Sequence, residues 1–410
     1  MKKVSSSNGL EKCPKLRFSE FTSEWYKAKL LDVSQGFDYG MNTAATDYDG
    51  INKYIRITDI DETSHLYLED NAVSPLDKPD EKFLVNENDI LFARTGASVG
   101  KSYKYSVLDG NLYFAGFLIR VNVNKANYNF IFNQTLSKKY EKWVKMVSMR
   151  SGQPGINAEE YKTMPISLTE IKEQEKISNF LLLLDEKIQK QQQLVELLKK
   201  YKKGLFSKIN HQIVKFSEDN ILWKKITLKE VGEGFEYGMN AAAMAYDGKN
   251  GYIRITDIDD STRKYLTENK VSPNGEIQEK YLVKENDILF ARTGASVGKS
   301  YLYSTEDGLL YYAGFLIRVH IKDLYNSYFV FLNTQTYDYN KWIALESARS
   351  GQPGINAEQY KEYSFLCPSK NIQDKIASLI RKFDRKIELE LLELNYLFSL
   401  KKSLLQQLFI

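Results

Sequence analysis

The chain has 410 residues, of which 43% are hydrophobic and 27% are charged, and its formal net charge is +4. This length allows two or three domains with real cores, and the mildly basic charge permits a nucleic-acid partner without requiring one. The two distant cysteines, Cys13 and Cys367, and three scattered histidines argue against a disulfide framework and against a metal site.

Nothing in the sequence predicts a membrane segment or a signal peptide. No apolar stretch approaches the ~20 residues of a membrane span. The Lys2-Lys3 start leads into serines and an asparagine instead of an apolar run. We therefore expect a soluble, cytoplasmic protein with no membrane partner, and a frayed tail over residues 1–13.

Beyond this tail the chain is an internal repeat. The stretch Glu87–Tyr103 returns unchanged at Glu285–Tyr301, 198 positions later, and Tyr54–Asp61 returns unchanged at Tyr252–Asp259. After the last predicted strand the offset becomes 199, which predicts a one-residue insertion near a turn. Such a repeat predicts two copies of one domain.

In each copy, apolar periodicity predicts several strands followed by a helix. Tyr54–Asp61 alternates isoleucine with polar residues, as a half-buried strand does, and the proline-containing Glu62–Lys82 predicts a loop. Asp89–Ala93 predicts a strand that enters a glycine-containing turn, and Tyr113–Val123 predicts a second, buried strand. Tyr128–Val147 spaces its large apolar residues as on one face of a helix.

Two longer stretches, Glu170–Phe206 and Ile372–Phe409, predict long helices with a coiled-coil stripe at heptad positions a and d. We expect the two helices to form an antiparallel intramolecular pair. The alternative is that each stripe docks onto its own globular domain. The stripe residues are Ile177, Leu181, Leu184, Ile188, Val195 and Leu198 in the first stretch, and Ile376, Ile380, Phe383, Ile387, Leu394 and Leu397 in the second.

The predicted fold class is therefore α+β, with two similar mixed α/β domains separated and tied together by two long antiparallel coiled-coil helices. The predicted domains cover residues 14–168 and 211–368, and the helices cover residues 169–210 and 369–410. We expect a pseudo-two-fold arrangement, which suits duplex DNA because DNA has two-fold symmetry of its own.

The polar residues that recur in both copies are those suited to DNA contact. Arg, Gln and Asn make paired hydrogen bonds to base edges, whereas Lys, Ser and Thr hold phosphates. Tyrosines, among them Tyr103, can pack on sugars. For any single residue an ordinary structural role is an equal alternative. The candidate DNA-binding residues are Tyr39, Arg56, Thr58, Arg94, Thr95, Lys101, Arg150, Ser151, Gln153 and Asn157, with their counterparts Tyr237, Arg254, Thr256, Arg292, Thr293, Lys299, Arg349, Ser350, Gln352 and Asn356.

Enzymatic chemistry is not predicted for this chain. The turn at Thr95–Ser102 is similar to a phosphate-binding P-loop. However, only three residues separate Gly96 from Gly100, whereas a P-loop has four, because Thr95 stands where its first glycine would be. The turn also leads into a strand-like Tyr103-Lys104-Tyr105, whereas a P-loop opens a helix. No nucleophile–base set, carboxylate pair or metal cluster is apparent, so we expect a non-catalytic protein.

The repeated motifs resemble the specificity (S) subunit of type I restriction-modification systems. The resemblance rests on Ile-Leu-Phe-Ala-Arg-Thr-Gly-Ala-Ser-Val-Gly-Lys, on Ser-Gly-Gln-Pro-Gly-Ile-Asn and on a coiled-coil helix, each occurring twice. It implies that each domain is a target recognition domain for half of a bipartite site on double-stranded DNA. It further implies that the helices dock two methyltransferase subunits, to which restriction/translocase subunits are added. S-adenosylmethionine, ATP and Mg would belong to those partners, and this chain would bind no cofactor.

In that family the two recognition domains commonly differ, whereas here the loops match almost residue for residue. We therefore predict a palindromic or nearly palindromic bipartite target. Two differences could relax or shift one base: Thr43-Ala-Ala-Thr46 against Ala241-Ala-Ala-Met244, and Asp61–Lys82 against Asp259–Lys280. A coiled-coil scaffold without a DNA role is the alternative function, and it predicts exposed apolar patches where the repeated loops meet.

Overall fold

The computed structural model describes residues 2–3, 13–149, 154–214, 223–348 and 354–409. The chain forms two compact units. The first unit contains residues 1–192 and 392–410, and the second contains residues 193–391. Each unit therefore combines one copy of the repeat with segments of both long helices.

The first unit begins with short strands and small helices and ends in a long helix that continues into the second unit. Its strands are β1 (Lys2–Lys3), β2 (Leu16–Arg17), β3 (Tyr26–Lys29), β4 (Ser34–Tyr39), β5 (Ala45–Asp47), β6 (Lys53–Ile55), β7 (Val73–Pro75), β8 (Asp89–Ala93), β9 (Ser102–Lys104), β10 (Leu112–Phe114), β11 (Leu118–Val123) and β12 (Pro165–Leu168). Its helices are α1 (Leu30–Val33), α2 (Tyr128–Gln134), α3 (Lys138–Ser148), α4 (Ala158–Lys162) and the long α5 (Ile171–Asn210).

The second unit repeats this order from the counterpart of β3 onward. Its strands are β13 (Lys224–Thr227), β14 (Gly232–Tyr237), β15 (Ala242–Ala245), β16 (Gly251–Ile253), β17 (Val271–Asn274), β18 (Asp287–Ala291), β19 (Ser300–Leu302), β20 (Leu310–Tyr312), β21 (Leu316–Ile321) and β22 (Ser364–Cys367). Its helices are α6 (Leu228–Val231), α7 (Ser327–Asn333), α8 (Tyr337–Ser347), α9 (Ala357–Lys361) and the long α10 (Lys370–Leu408).

An antiparallel sheet of four strands forms the centre of each unit, in the order β4-β11-β8-β9 and β14-β21-β18-β19. Strand β8 is buried along its whole length. Ile90 and Phe92 enter the core that the helices cover, whereas Leu91 and Ala93 enter a second core on the other face. This burial on both faces explains why the strand is an unbroken apolar run instead of an alternating one.

The two long helices pair antiparallel within each unit, as predicted. A salt bridge of 2.6 Å joins Asp185 of α5 to Lys401 of α10 in the first unit, and one of 2.5 Å joins Lys202 of α5 to Asp384 of α10 in the second. The alternative prediction, that each stripe docks onto its own globular domain, also holds for the first turns of α5, because Ile177 lies in the core of the first globular part. Each stripe therefore packs first on its domain and then on the other helix.

Four predicted elements are corrected by the structure. The strand predicted at Tyr54–Asp61 ends at Ile55 and continues as a 3-10 turn, and the loop predicted at Glu62–Lys82 contains β7. The strand predicted at Tyr113–Val123 is two strands, β10 and β11, separated by a turn. The helix predicted at Tyr128–Val147 is broken into α2 and α3 at Thr135–Ser137, where Ser137 caps the second helix. The inserted residue falls in the turn before α7, as expected.

Candidate nucleic-acid interface

Arg94 follows the buried strand β8 and is held by an aromatic ring and a carbonyl. Its guanidinium lies 4.7 Å from the centre of the Tyr39 ring, and its Nη1 donates to the Gly116 carbonyl at 3.4 Å. Arg292 lies over Tyr237 in the same way, at 4.8 Å. Stacking on a ring orients the guanidinium fork while its N–H groups remain donors for a partner. Both arginines are thus displayed in a defined orientation.

The two predicted loops of each copy lie side by side. Thr95 forms a β-bridge with Gly155, and the Ile156 amide donates to the Arg94 carbonyl at 2.9 Å. The Ala158 amide donates to the Tyr39 hydroxyl at 3.1 Å, so the ring that supports Arg94 is itself tied to α4. Thr293 and Gly354 form the same bridge in the second unit.

Asn157 and Asn356 are helix caps. The Asn157 side chain accepts from the Glu160 amide, and the Glu160 carboxylate accepts from the Asn157 amide, which is a complete capping box. Asn356 and Gln359 form the same box at α9. The predicted residues Arg150, Ser151, Gln153, Arg349, Ser350 and Gln352 lie outside the described residues.

Lys101 and Lys299 point into the protein, which argues against the predicted phosphate contact. The Lys101 ammonium donates to the Ile60 carbonyl at 3.0 Å and pairs with Glu62 at 2.5 Å, and its side chain is only 7% exposed. Lys299 makes the matching bonds to Ile258 and Asp260. The charge is therefore already paired inside the unit, where it holds the segment after the 3-10 turn.

Two further predicted groups also have internal partners. Arg56 donates through Nε and Nη2 to both oxygens of Asp59 at 2.8 Å, while part of its side chain remains exposed, and Thr58 donates to the same carboxylate. Tyr103 is buried and donates to Asp109, and burial raises the pKa of its hydroxyl. Tyr103 therefore supports the core and cannot pack on a sugar.

An open groove of ≈ 740 Å³ brings five predicted residues of the second unit together. Every residue that lines this groove recurs 198 positions earlier, except that Ala241 is matched by Thr43. The groove combines two cations with hydroxyls and aromatic rings, in contrast to the purely apolar patch that a scaffold predicts. The five predicted residues are Tyr237, Arg254, Thr256, Arg292 and Thr293.

Phe117 and Phe315 are surface residues that the sequence pattern did not predict. They are 63% and 62% exposed, although the apolar run around them predicted burial. Each occupies the turn between two strands, and the Phe117 carbonyl accepts from the Arg94 amide at 3.0 Å. The Ala-Gly pair before each phenylalanine is the signal that the run is interrupted there. Phe315 lines the groove beside Arg292.

The family model of the type I restriction modification DNA specificity domain matches residues 23–213 and 220–397. The chain belongs to this family. The two matched ranges correspond to the two copies of the repeat, each taken with the long helix that follows it in the sequence.

Known relatives agree with this assignment. The specificity subunit of the type I restriction enzyme MjaVIII from Methanocaldococcus jannaschii is 21% identical over 83% of both chains. The S subunit of a type I restriction-modification system from M. genitalium shares the fold with a TM-score of 0.58 and 17% identity, covering 97% of this chain and 99% of that one. A structure described for complex assembly and conformational transition of the type I system gives a TM-score of 0.52 at 14% identity, covering 93% and 96% of the two chains.

Neither a metal site nor a membrane-spanning helix is found among the residues that the structure describes. No group of histidines, cysteines and carboxylates there could hold a metal ion. No helix within the same ranges is long and apolar enough to cross a membrane. The turn at Gly96–Ser102 also leads into β9 instead of a helix, which agrees with the rejection of a P-loop.

Proposed function

We propose that this chain is the DNA-recognition subunit of a type I restriction-modification complex, acting in the cytoplasm. Each unit reads one half of a bipartite site. The observation that carries the proposal is the groove of the second unit, in which Arg292 lies on Tyr237 beside Arg254 and Phe315.

The chemistry of this groove matches base readout. An arginine with its fork held by a ring makes two hydrogen bonds to the O6 and N7 atoms of guanine, the commonest specific contact in the major groove. Arg94 and Arg292 are therefore assigned to bases. Arg56 and Arg254, already paired with carboxylates, are assigned to support of the groove.

The two half-sites are nearly identical in this proposal. The groove residues of the second unit recur in the first with a single difference, so both units present almost the same donors and acceptors to DNA. Two like domains on antiparallel helices favour inverted half-sites and hence a near-palindromic target.

Methylation, translocation and cleavage belong to partner subunits, which carry S-adenosylmethionine, ATP and Mg. We assign the docking of two methyltransferase subunits to the paired helices, where Leu183 and Leu197 are 65% and 63% exposed. Leu182 and Leu194 of the same helix are also exposed, and a group of exposed apolar residues is typical of a surface that another protein covers. Leu183→Glu with Leu197→Glu should abolish co-purification of the methyltransferase, because both changes place a charge in the contact without touching a core.

Mapping methylated adenines in cells that carry the complete system tests the proposal. We expect one bipartite motif with two inverted, nearly identical halves, and loss of all its methylation when the gene for this chain is deleted. Two unrelated half-sites would contradict the near-palindrome. Methylation that persists after deletion would contradict the recognition role itself.

A further inference from the structure

Thr43 against Ala241 is the one difference among the groove-lining residues, and it lies beside a short two-stranded ribbon. Strands β5 and β7 form this ribbon in the first unit, and β15 and β17 form it in the second, with the same register. The hydroxyl of Tyr54 donates to the Thr43 carbonyl at 3.2 Å, and that of Tyr252 donates to the Ala241 carbonyl at 3.0 Å. The carbonyls of Thr43 and Ala241 are therefore held alike in the two units, whereas Gly275 has a positive φ that its counterpart Asp77 does not share.

In the first unit the wall carries a polar pair. Thr43 Oγ1 donates to Asp77 Oδ2 at 2.6 Å, and the Asp77 amide lies 3.3 Å from the same hydroxyl. The two bonds fix the carboxylate at the end of the ribbon, in an exposed position. A carboxylate accepts hydrogen bonds and donates none at neutral pH.

In the second unit both members of the pair are absent. Ala241 replaces the threonine and Gly275 replaces the aspartate. Gly275 has a φ of +127°, and an added Cβ there would meet no atom within 4 Å. Neither Ala241 nor Gly275 offers a side-chain charge or acceptor, and the space beside Gly275 is open.

We propose that the Thr43–Asp77 pair makes the two half-sites differ at one base, with the first unit requiring cytosine at the position that the second unit leaves unspecified. This inference rests on the proposed function. Among the groups on the major-groove edge, the cytosine N4 amine is the donor that an aspartate accepts. Adenine also offers an amine, but its N7 lone pair lies beside it and repels a carboxylate. Guanine and thymine present acceptors at the equivalent atoms.

The test selects duplexes randomised in both half-sites with the full chain in its native complex and sequences the bound pool. For the wild type we expect one position at which cytosine is enriched about tenfold in one half only, the size of one good base contact. Thr43→Ala with Asp77→Gly should remove that enrichment and make the two halves alike. Asp77→Asn, which keeps the shape and removes the charge, should weaken the preference for cytosine.

Thr46→Met is the matched control. It also converts a ribbon residue of the first unit to its counterpart, Met244, but Thr46 takes no part in the bond between Thr43 and Asp77. We expect its selected sequences to equal those of the wild type.

The outcomes separate this inference from the proposed function. A wild type that selects two identical halves, or a cytosine preference that survives in the double variant, overturns the role of Thr43 and Asp77 while sequence recognition stands. A change of preference in Thr46→Met also overturns it. A wild type that enriches no sequence at all overturns the proposed function.

Discussion

In the first unit, Arg17, Trp25 and Thr169 converge on the carboxylate of Glu173, whereas the second unit has Ile372 at the matching position of its long helix. Arg17 donates to both oxygens of Glu173 at 2.7 Å, and the Trp25 indole N–H donates to it at 3.1 Å. Ile372 is 4% exposed and lies in the apolar core of the second unit. The contact at this position of the long helix, which we call the anchor, is thus an ion pair in the first unit and an apolar contact in the second, although the two grooves are almost the same.

This contrast shows which parts of the fold can be built from different residue types. A buried anchor needs only filled volume and satisfied polar groups, and an ion pair or an apolar side chain of similar size can meet that need with similar stability. A base contact needs a particular donor at a particular place. The anchor can therefore diverge between two copies while the groove that we propose to read DNA stays fixed.

Breaking the charged anchor should produce the largest effect. Glu173→Gln leaves Arg17 charged and only 5% exposed without its ionic partner, and loss of one member of a buried pair costs about 3–5 kcal/mol. We expect the free energy of unfolding of the first unit to fall by that amount while that of the second unit is unchanged, as measured by hydrogen exchange in increasing urea.

Two variants control this experiment. Arg17→Met with Glu173→Leu should recover most of the loss, because it replaces the pair by apolar packing like that of the second unit. Ile372→Val should cost only about 1 kcal/mol, in the second unit alone. Equal losses from Glu173→Gln in both units would show that the anchors are not local.

Removing one reading arginine should affect one half-site. Arg94→Ala should lower the preference for cognate over random DNA by ~1–3 kcal/mol, and only in the half that the first unit reads. Arg292→Ala should do the same in the other half. Arg94→Lys keeps the charge but lacks the fork, so it should retain non-specific affinity and lose discrimination. Competition binding at one salt concentration measures both the non-specific affinity and the discrimination between cognate and random DNA. Unchanged discrimination in Arg94→Ala would limit Arg94 to holding the Gly116 turn.

Replacing the buried lysines should have a smaller effect, and it separates a phosphate contact from an internal ion pair. As phosphate contacts, Lys101 and Lys299 would each contribute about one unit to the slope of log affinity against log salt. The structure instead bonds each ammonium to a carbonyl and a carboxylate of its own unit. Lys101→Met should therefore leave the salt slope unchanged and lower the stability of the first unit by about 1 kcal/mol, the value of one hydrogen bond. A flatter slope in a salt titration would restore the phosphate role.

The sequence predicted the repeat, the central strand and the long helices because these depend on pattern alone. Asp89–Ala93 is an apolar run bounded by polar residues and a glycine, and it is β8 at the same bounds. Heptad spacing likewise predicted the helix pairing, since a stripe of that kind needs a partner. The break between α2 and α3 was missed because Thr135–Ser137 interrupts the backbone without interrupting the apolar spacing.

The candidate site was predicted less well, because side-chain direction is not visible in a sequence. Lys101 follows a glycine turn and was expected outside, but Gly100 adopts a φ of +85° and the lysine turns inward. Phe117 belongs to an apolar run and was expected inside, but a turn displays it. Asn157 was predictable as a cap, since Asn-x-x-Glu is the signature of a capping box. Arg94 and Tyr39 were both predicted, but their stacking required the fold.

His65 of the first unit is matched by Arg263 in the second, so only the first unit has an imidazole at this position. Both residues adopt left-handed backbone, with φ values of 58° and 60°. His65 Nδ1 lies 2.7 Å from the Ser102 carbonyl and donates to it. Burial lowers the pKa of His65, and the charges of Lys401 and Lys101 lower it further, against the opposing effects of Ser102 and Glu62.

This shift gives the first unit a sensitivity to mild acid that the matching position of the second unit does not supply. When the folded pKa lies below the unfolded value of about 6.5, the unfolded chain binds more protons between the two values, and stability falls as pH drops through that window. Arg263 stays protonated at these pH values, so the second unit lacks this contribution. We expect the urea midpoint of the first unit to fall between about pH 7.5 and about pH 5.5 by more than that of the second. His65→Asn, which suits left-handed backbone and does not titrate, should remove the excess. An excess that persists in His65→Asn would assign the acid sensitivity to another group of the first unit.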